Sequence, residues 1–99
     1  MKKSKAVVAR SAAQLAKALG LTPADGAEIE LRSNLNSKIV EIVQRKRLTH
    51  AQVARLARTS RTRITAIMNR NTMAISTDLL LRILYALGYT AKIRFEKAA

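Results

Sequence analysis

Residues 48–69, LTHAQVARLARTSRTRITAIMN, hold the pattern that decides the fold. Thr49 and Ser60 are residue types that cap helix N-termini, and each precedes apolar residues at helical spacing. The stretch therefore predicts two short helices, over residues 50–57 and 61–69, joined by a tight turn at Arg58 and Thr59. The predicted inward positions are Val53, Ala54, Leu56, Ile64, Ile67 and Met68.

Further capping signals extend the helical pattern on both sides of this stretch. Thr22-Pro23 predicts the start of a long helix that ends near Lys46. Ser76 predicts a last helix over residues 77–87, which Gly88 stops. The buried positions predicted for these two helices are Leu35, Ile39, Ile42, Val43, Leu79, Leu80, Ile83, Leu84 and Leu87. A short helix over residues 12–19 and a flexible basic arm over residues 1–10 are predicted to precede them.

The apolar period changes after Gly88. Tyr89, Ala91, Ile93 and Phe95 alternate with polar residues, which predicts a half-buried strand. A lone strand must pair with another, so we expect it to pair with the same strand of a second copy, with Tyr89, Ile93 and Phe95 as dimer contacts. The alternative is a strand-like tail that lies against the helices.

The predicted fold class is therefore all-α, a five-helix domain with one short C-terminal β-strand. Its predicted division is a basic arm with a short helix over residues 1–20, followed by the main domain with its dimerisation strand over residues 21–99. A chain of 99 residues is long enough for one domain with a small core.

Positive charge is concentrated around the same stretch. The chain has 19 Lys and Arg against 6 Asp and Glu, a net charge of +13, and no acidic residue lies between Ile42 and Thr77. A long basic window favours a polyanionic partner, although a basic surface without a partner is the alternative. The apolar runs are too short to span a membrane and no secretory signal core follows the N-terminus, so we expect a cytoplasmic protein.

Two short helices joined by a tight turn can present the second helix to the major groove of double-stranded DNA. On that second helix Arg61, Thr62 and Thr65 share the outward face. The Arg61 guanidinium can bond O6 and N7 of guanine, and a phosphate contact is its alternative. Arg45, Lys46 and Arg47 are candidates for phosphate contacts, the alternative being charges that complement a helix end.

Residues 36–88 resemble the lambda-repressor-like, or Xre-family, helix-turn-helix. The resemblance is carried by Leu48-Thr49-His50, Val53-Ala54 and residues 60–64, SRTRI. It implies that His50 reaches a phosphate and braces the second helix of the pair, which is the recognition helix of that family. The alternative is that His50 is a partly exposed helix residue. The DNA-binding residues predicted on this basis are His50, Ser60, Arg61, Thr62, Arg63, Thr65, Asn69 and Arg70.

The chain departs from that family at two glycine positions. The family's turn usually carries glycine where this chain has Arg58, and glycine often follows the asparagine that here is Asn69. Positive φ is unfavourable for a residue with a side chain, so we expect the turn at Arg58 to be strained or differently shaped.

A finer resemblance, to HigA-like antitoxins, rests on residues 75–80, ISTDLL, residues 84–88, LYALG, and the strand that follows. It implies a homodimer that represses its own operon and neutralises a HigB/RelE-like ribonuclease toxin. The alternative is a stand-alone Xre-family transcriptional regulator. We expect no enzyme activity and no cofactor or metal, since no nucleophile–base pair, carboxylate dyad or metal cluster is visible.

Overall fold

The computed structural model describes Gly20 and residues 22–97. These residues form four helices: α1 (Pro23–Arg45), α2 (His50–Ala57), α3 (Arg61–Met68) and α4 (Thr77–Ala86). The predicted basic arm and the predicted helix over residues 12–19 lie outside the described residues. The chain divides into two compact units, Met1–Asn34 and Leu35–Ala99, so the division falls within α1. The predicted division after residue 20 stays a prediction.

In the first unit, Thr22 and Asp25 cap the start of α1. The Thr22 hydroxyl accepts a hydrogen bond from the Asp25 amide at 3.1 Å, and the Asp25 carboxylate accepts one from the Thr22 amide at 2.9 Å. The Thr22 hydroxyl also donates to this carboxylate at 2.9 Å. The amide hydrogen bond, followed by the hydroxyl hydrogen bond, lowers the pKa of the Asp25 carboxyl. The predicted helix start at Thr22-Pro23 is confirmed.

The second unit is built around one apolar cluster. Its members are Leu35, Ile39, Ile42, Val43, Val53, Ala54, Ala57, Ile64, Ile67, Ile75, Leu79, Leu80, Ile83, Leu84 and Leu87. All nine buried positions predicted for the long helix and the last helix belong to this cluster. The helical spacing of apolar residues was sufficient to find them, because a core-facing stripe recurs every three or four residues.

Side-chain caps fix where the helices of the second unit begin. Thr49 accepts from the Gln52 amide and Gln52 bonds back to the Thr49 amide, which completes a capping box at α2. Ser60 caps α3 by accepting from the Arg63 amide, and Ser76 caps α4 by accepting from the Leu79 amide. All three caps were predicted from the sequence.

Two details of the helix pair differ from the prediction. The apolar face of α2 is formed by Val53, Ala54 and Ala57, whereas Leu56 is 54% exposed and was wrongly predicted to face inward. Ala57 lies one turn after Val53, so it occupies the buried stripe and turns Leu56 outward. The third helix ends at Met68, with Asn69 as its C-cap, one residue earlier than predicted.

The predicted C-terminal strand is not formed in this chain. No strand is present in residues 22–97, and the segment over residues 89–97 is irregular. Tyr89 packs against the apolar cluster, while Ile93 is 69% exposed and Phe95 is 94% exposed. A strand requires a neighbouring strand for its backbone hydrogen bonds, and the described part of the chain provides none. The all-helical part of the predicted fold class is confirmed for the described residues.

Candidate nucleic-acid interface

The third helix separates into a buried face and an exposed face. Ile64 and Ile67 are buried in the apolar cluster, and Met68 is half-buried. Arg61 and Thr62 are exposed at the start of the helix, and Thr65 is half-buried one turn later. We call α3 the recognition helix, and Arg61, Thr62 and Thr65 its reading face. The remaining predicted DNA-binding residues on or near this helix, Ser60, Arg63, Asn69 and Arg70, are also exposed.

His50 links the start of α2 to the reading face. Its Nδ1 atom lies 2.8 Å from the Thr65 hydroxyl oxygen, within hydrogen-bond distance. Both residues are half-buried, so the contact is partly shielded from water. The brace between α2 and the recognition helix that the resemblance implies is therefore present, whereas the phosphate contact of His50 stays a prediction. Thr65 already uses its hydroxyl within the protein, which leaves Arg61 and Thr62 as the more open members of the reading face.

The turn between α2 and the recognition helix has the backbone conformation that favours glycine. Arg58 has φ 54° and ψ 51°, in the left-handed region, and its amide donates to the end of α2. The turn therefore keeps the shape of a glycine turn although arginine occupies that place. Of the two outcomes expected from the sequence, a strained turn and a differently shaped one, the structure has the strained turn. The hydroxyl oxygen of the adjacent Thr59 is buried and has no hydrogen-bond partner.

Two polar residues of α1 contact the far end of the recognition helix, and neither was predicted from the sequence. Asn36 is 4% exposed and donates from Nδ2 to the Ile67 carbonyl oxygen at 2.8 Å. The neighbouring Ser37 hydroxyl accepts from the Arg70 guanidinium at 2.9 Å. Asn36 lies three residues before Ile39 and seven before Val43, so its place on the buried stripe of α1 was the available signal.

The basic residues at the end of α1 make contacts within the chain. Arg45 donates to the Tyr89 hydroxyl, and Lys46 donates to the Leu87 carbonyl oxygen at 3.1 Å. Both cations also lie over the Tyr89 ring, at 5.9 and 5.7 Å from its centroid. These contacts favour a structural role for Arg45 and Lys46 over phosphate binding. They also engage Tyr89 within its own chain, so Ile93 and Phe95 are the more accessible of the predicted dimer contacts.

No helix in residues 22–97 has the length and apolar character needed to cross a membrane. No cluster of three or more His, Cys, Asp or Glu side chains suited to a metal ion occurs in the same residues.

Comparison with known proteins gives a family over most of the chain. The family model described as a helix-turn-helix domain matches residues 19–96. No curated protein and no solved structure matches the chain significantly. Domains of this kind present a recognition helix to DNA, so the match supports a DNA-binding regulator with an Xre-like helix-turn-helix. The chain therefore belongs to the helix-turn-helix domain family.

Proposed function

We propose that this protein is a sequence-specific repressor that binds an operator in double-stranded DNA and acts by binding, without catalysis. The observation that carries the proposal is the recognition helix itself. Ile64 and Ile67 on its inner face are buried in the apolar cluster, and Arg61 and Thr62 on its outer face are exposed to solvent. A rigid helix with exposed hydrogen-bonding side chains is what readout of base edges in the major groove requires.

The surrounding charge supports the same proposal. Arg55 on α2, Arg63 on the recognition helix and Arg70 directly after that helix are exposed, and all three lie within the sequence window that has no acidic residue. Phosphate contacts of this type supply affinity that does not depend on sequence, whereas contacts to base edges select the site. We assign the selective contact to Arg61, which would bond guanine, and the supporting contacts to the other predicted residues.

The test begins with selection of preferred duplexes from a random-sequence library, followed by affinity measurements on the most enriched sequence. Arg61→Ala should weaken binding to that sequence by about 1–3 kcal/mol and relax the preference at one base pair. Arg82→Ala removes the same charge from the exposed face of α4 and is the matched control, with little effect on the preference. Equal weakening by Arg61→Ala on every duplex would reassign Arg61 to phosphate, and no enrichment by the wild-type protein would refute sequence-specific binding.

We further propose that the repressor works as a homodimer joined by the segment after Gly88. The exposed apolar side chains of Ile93 and Phe95 support this, as do backbone groups that a second copy could pair. A dimer would place two recognition helices on half-sites about 34–36 Å apart. The irregular segment would then become a strand on association.

Matched serine variants test the dimer without disturbing Tyr89, which packs against the core. The double variant Ile93→Ser/Phe95→Ser should sediment as a monomer in analytical ultracentrifugation. Lys92→Ser/Arg94→Ser changes the alternate positions and should stay dimeric. A monomeric wild-type protein, or a dimer that survives replacement of Ile93 and Phe95, would contradict the proposal.

The finer role we propose is that of an antitoxin in a type II toxin–antitoxin pair. Its support is the resemblance of residues 75–80 and 84–88 to HigA-like antitoxins, which implies a HigB/RelE-like ribonuclease as partner. Co-expression with the product of a neighbouring reading frame should restore growth that this product alone arrests. Failure to restore growth, or a neighbour without toxicity, would favour the stand-alone Xre-family regulator.

A further inference from the structure

Three of the four helices described in residues 22–97 are followed by an arginine with a left-handed backbone. Arg47, Arg58 and Arg70 have φ angles of 53°, 54° and 58°. In each case the next amide donates to a carbonyl five residues earlier, which is the Schellman arrangement. These hydrogen bonds are Leu48 N to Val43 O at 3.0 Å, Thr59 N to Ala54 O at 3.0 Å and Asn71 N to Ala66 O at 2.8 Å.

Glycine is the residue that this conformation favours, and the chain uses it at the fourth helix end. Gly88 has φ 91°, and the Tyr89 amide donates to the Leu84 carbonyl oxygen at 3.1 Å. A residue with a Cβ atom is strained in the same backbone conformation, whereas glycine is not. Arg47 and Arg58 therefore occupy positions where glycine would stabilise the fold better, whereas Arg70 also donates a hydrogen bond to the Ser37 hydroxyl.

Helix-end electrostatics do not require arginine at these positions. A cation stabilises a helix C-terminus, but α1 and α2 already carry Arg45 and Arg55 in their last turns without a left-handed backbone. At the recognition helix, the exposed positions of Asn69 and Asn71 could carry a charge near the same end. Within residues 22–97 the Arg47 guanidinium has no hydrogen-bond or ion-pair partner, so it gains nothing inside the described fold.

Arg47 and Arg70 lie close in sequence to residues of the candidate interface. Arg47 lies three residues before His50, whose ring reaches Thr65, and Arg70 directly follows Asn69 at the end of the recognition helix. Arg58 lies three residues before Arg61, but it lines a groove beside α4 together with Arg82 and Tyr85. We propose that Arg47 and Arg70 are DNA phosphate contacts, and that this role keeps arginine at these left-handed positions. The inference rests on the proposed DNA binding and deepens it.

The experiment compares Arg47→Gly, Arg70→Gly and Arg58→Gly with the wild-type protein. Phosphate contacts are independent of sequence, so a random-sequence duplex is a sufficient probe and the operator is not needed. Arg47→Gly and Arg70→Gly should each reduce the slope of log affinity against log salt, by about 0.9 for each phosphate that the variant no longer neutralises. Arg58→Gly should leave the slope unchanged. Arg47→Gly and Arg58→Gly should raise the Tm by several degrees, and Arg47→Lys should keep both the wild-type slope and Tm.

The outcomes separate this inference from the function on which it rests. A wild-type protein with no affinity for duplex DNA would refute the DNA-binding function itself. Binding by the wild type with an unchanged slope in Arg47→Gly and Arg70→Gly would overturn the phosphate contacts alone. A slope reduced equally by Arg58→Gly would overturn the distinction between Arg47 and Arg70 on one side and Arg58, in the groove beside α4, on the other.

Discussion

At the scale of single residues, the Thr59 hydroxyl is a polar group that the fold buries without a hydrogen-bond partner. A buried, unsatisfied hydroxyl costs free energy because it has left its hydrogen bonds to water behind. Thr59→Val replaces the hydroxyl by a methyl group of similar shape. We expect it to raise the free energy of unfolding by about 1 kcal/mol, measured by urea denaturation.

Thr62→Val is the matched control, because Thr62 is exposed and its hydroxyl is open to water. It should change the free energy of unfolding by no more than about 0.5 kcal/mol. A loss of stability in Thr59→Val would mean that the buried hydroxyl has a hydrogen-bond partner in solution and stabilises the turn.

Asn36 is the residue whose contribution most directly concerns the recognition helix. Its side-chain amide donates to the Ile67 carbonyl oxygen in the last turn of that helix, and this oxygen also accepts from the Arg70 amide. Asn36→Leu keeps the size of the side chain and removes the donor, so we expect a loss of about 1 kcal/mol in the free energy of unfolding. Amide exchange at Arg70 and Asn71, which close this helix end, should become faster.

Asn34→Leu provides the comparison for that measurement, since Asn34 is exposed on the same helix. It should leave the exchange rates of Arg70 and Asn71 unchanged. Wild-type exchange at these two amides in Asn36→Leu would show that the Asn36 hydrogen bond is not needed to hold the end of the recognition helix.

At the scale of helices, the features that could be predicted are those that depend on residues close together in the sequence. Thr49, Ser60 and Ser76 were predicted as caps because a cap depends on residues three positions apart. Leu56 was placed wrongly because an eight-residue helix with several apolar residues has more than one plausible inward face. Asn36 was missed because its partner, Ile67, lies 31 residues away, and spacing along one helix cannot reveal a contact between helices.

The start of α1 gives the pH-dependent prediction. Hydrogen bonds from Thr22 lower the pKa of the Asp25 carboxyl in the folded helix. Stabilisation of this cap is therefore complete above the unfolded pKa, about 3.9, and is lost as the pH falls through the lower folded pKa. We expect NMR titration to give Asp25 a pKa below 3.9, with the Thr22 amide shift following the same transition. Asp25→Asn should abolish that transition, and an Asp25 pKa at or above 3.9 would contradict the capping contact.

At the scale of the whole molecule, one charge distribution should make salt act in opposite directions on stability and on DNA binding. The net charge is +13, and the ion pairs of Glu41 with Lys38 and Arg45 are exposed and therefore weak. Repulsion among the remaining cations destabilises the folded state, and salt screens it over about 10 Å at 0.1 M. We therefore expect the Tm of the free protein, at fixed protein concentration, to rise as NaCl is added.

The same salt should weaken binding to duplex DNA, because counterions released from the phosphates return to a more concentrated solution. The Tm increase that a saturating duplex produces should consequently shrink as NaCl is raised, and calorimetry of the free and bound protein at several salt concentrations measures both trends. Potassium glutamate in place of NaCl tests whether chloride binding contributes. A Tm of the free protein that falls with salt would mean that attractive charge pairs, and not repulsion, dominate the folded state.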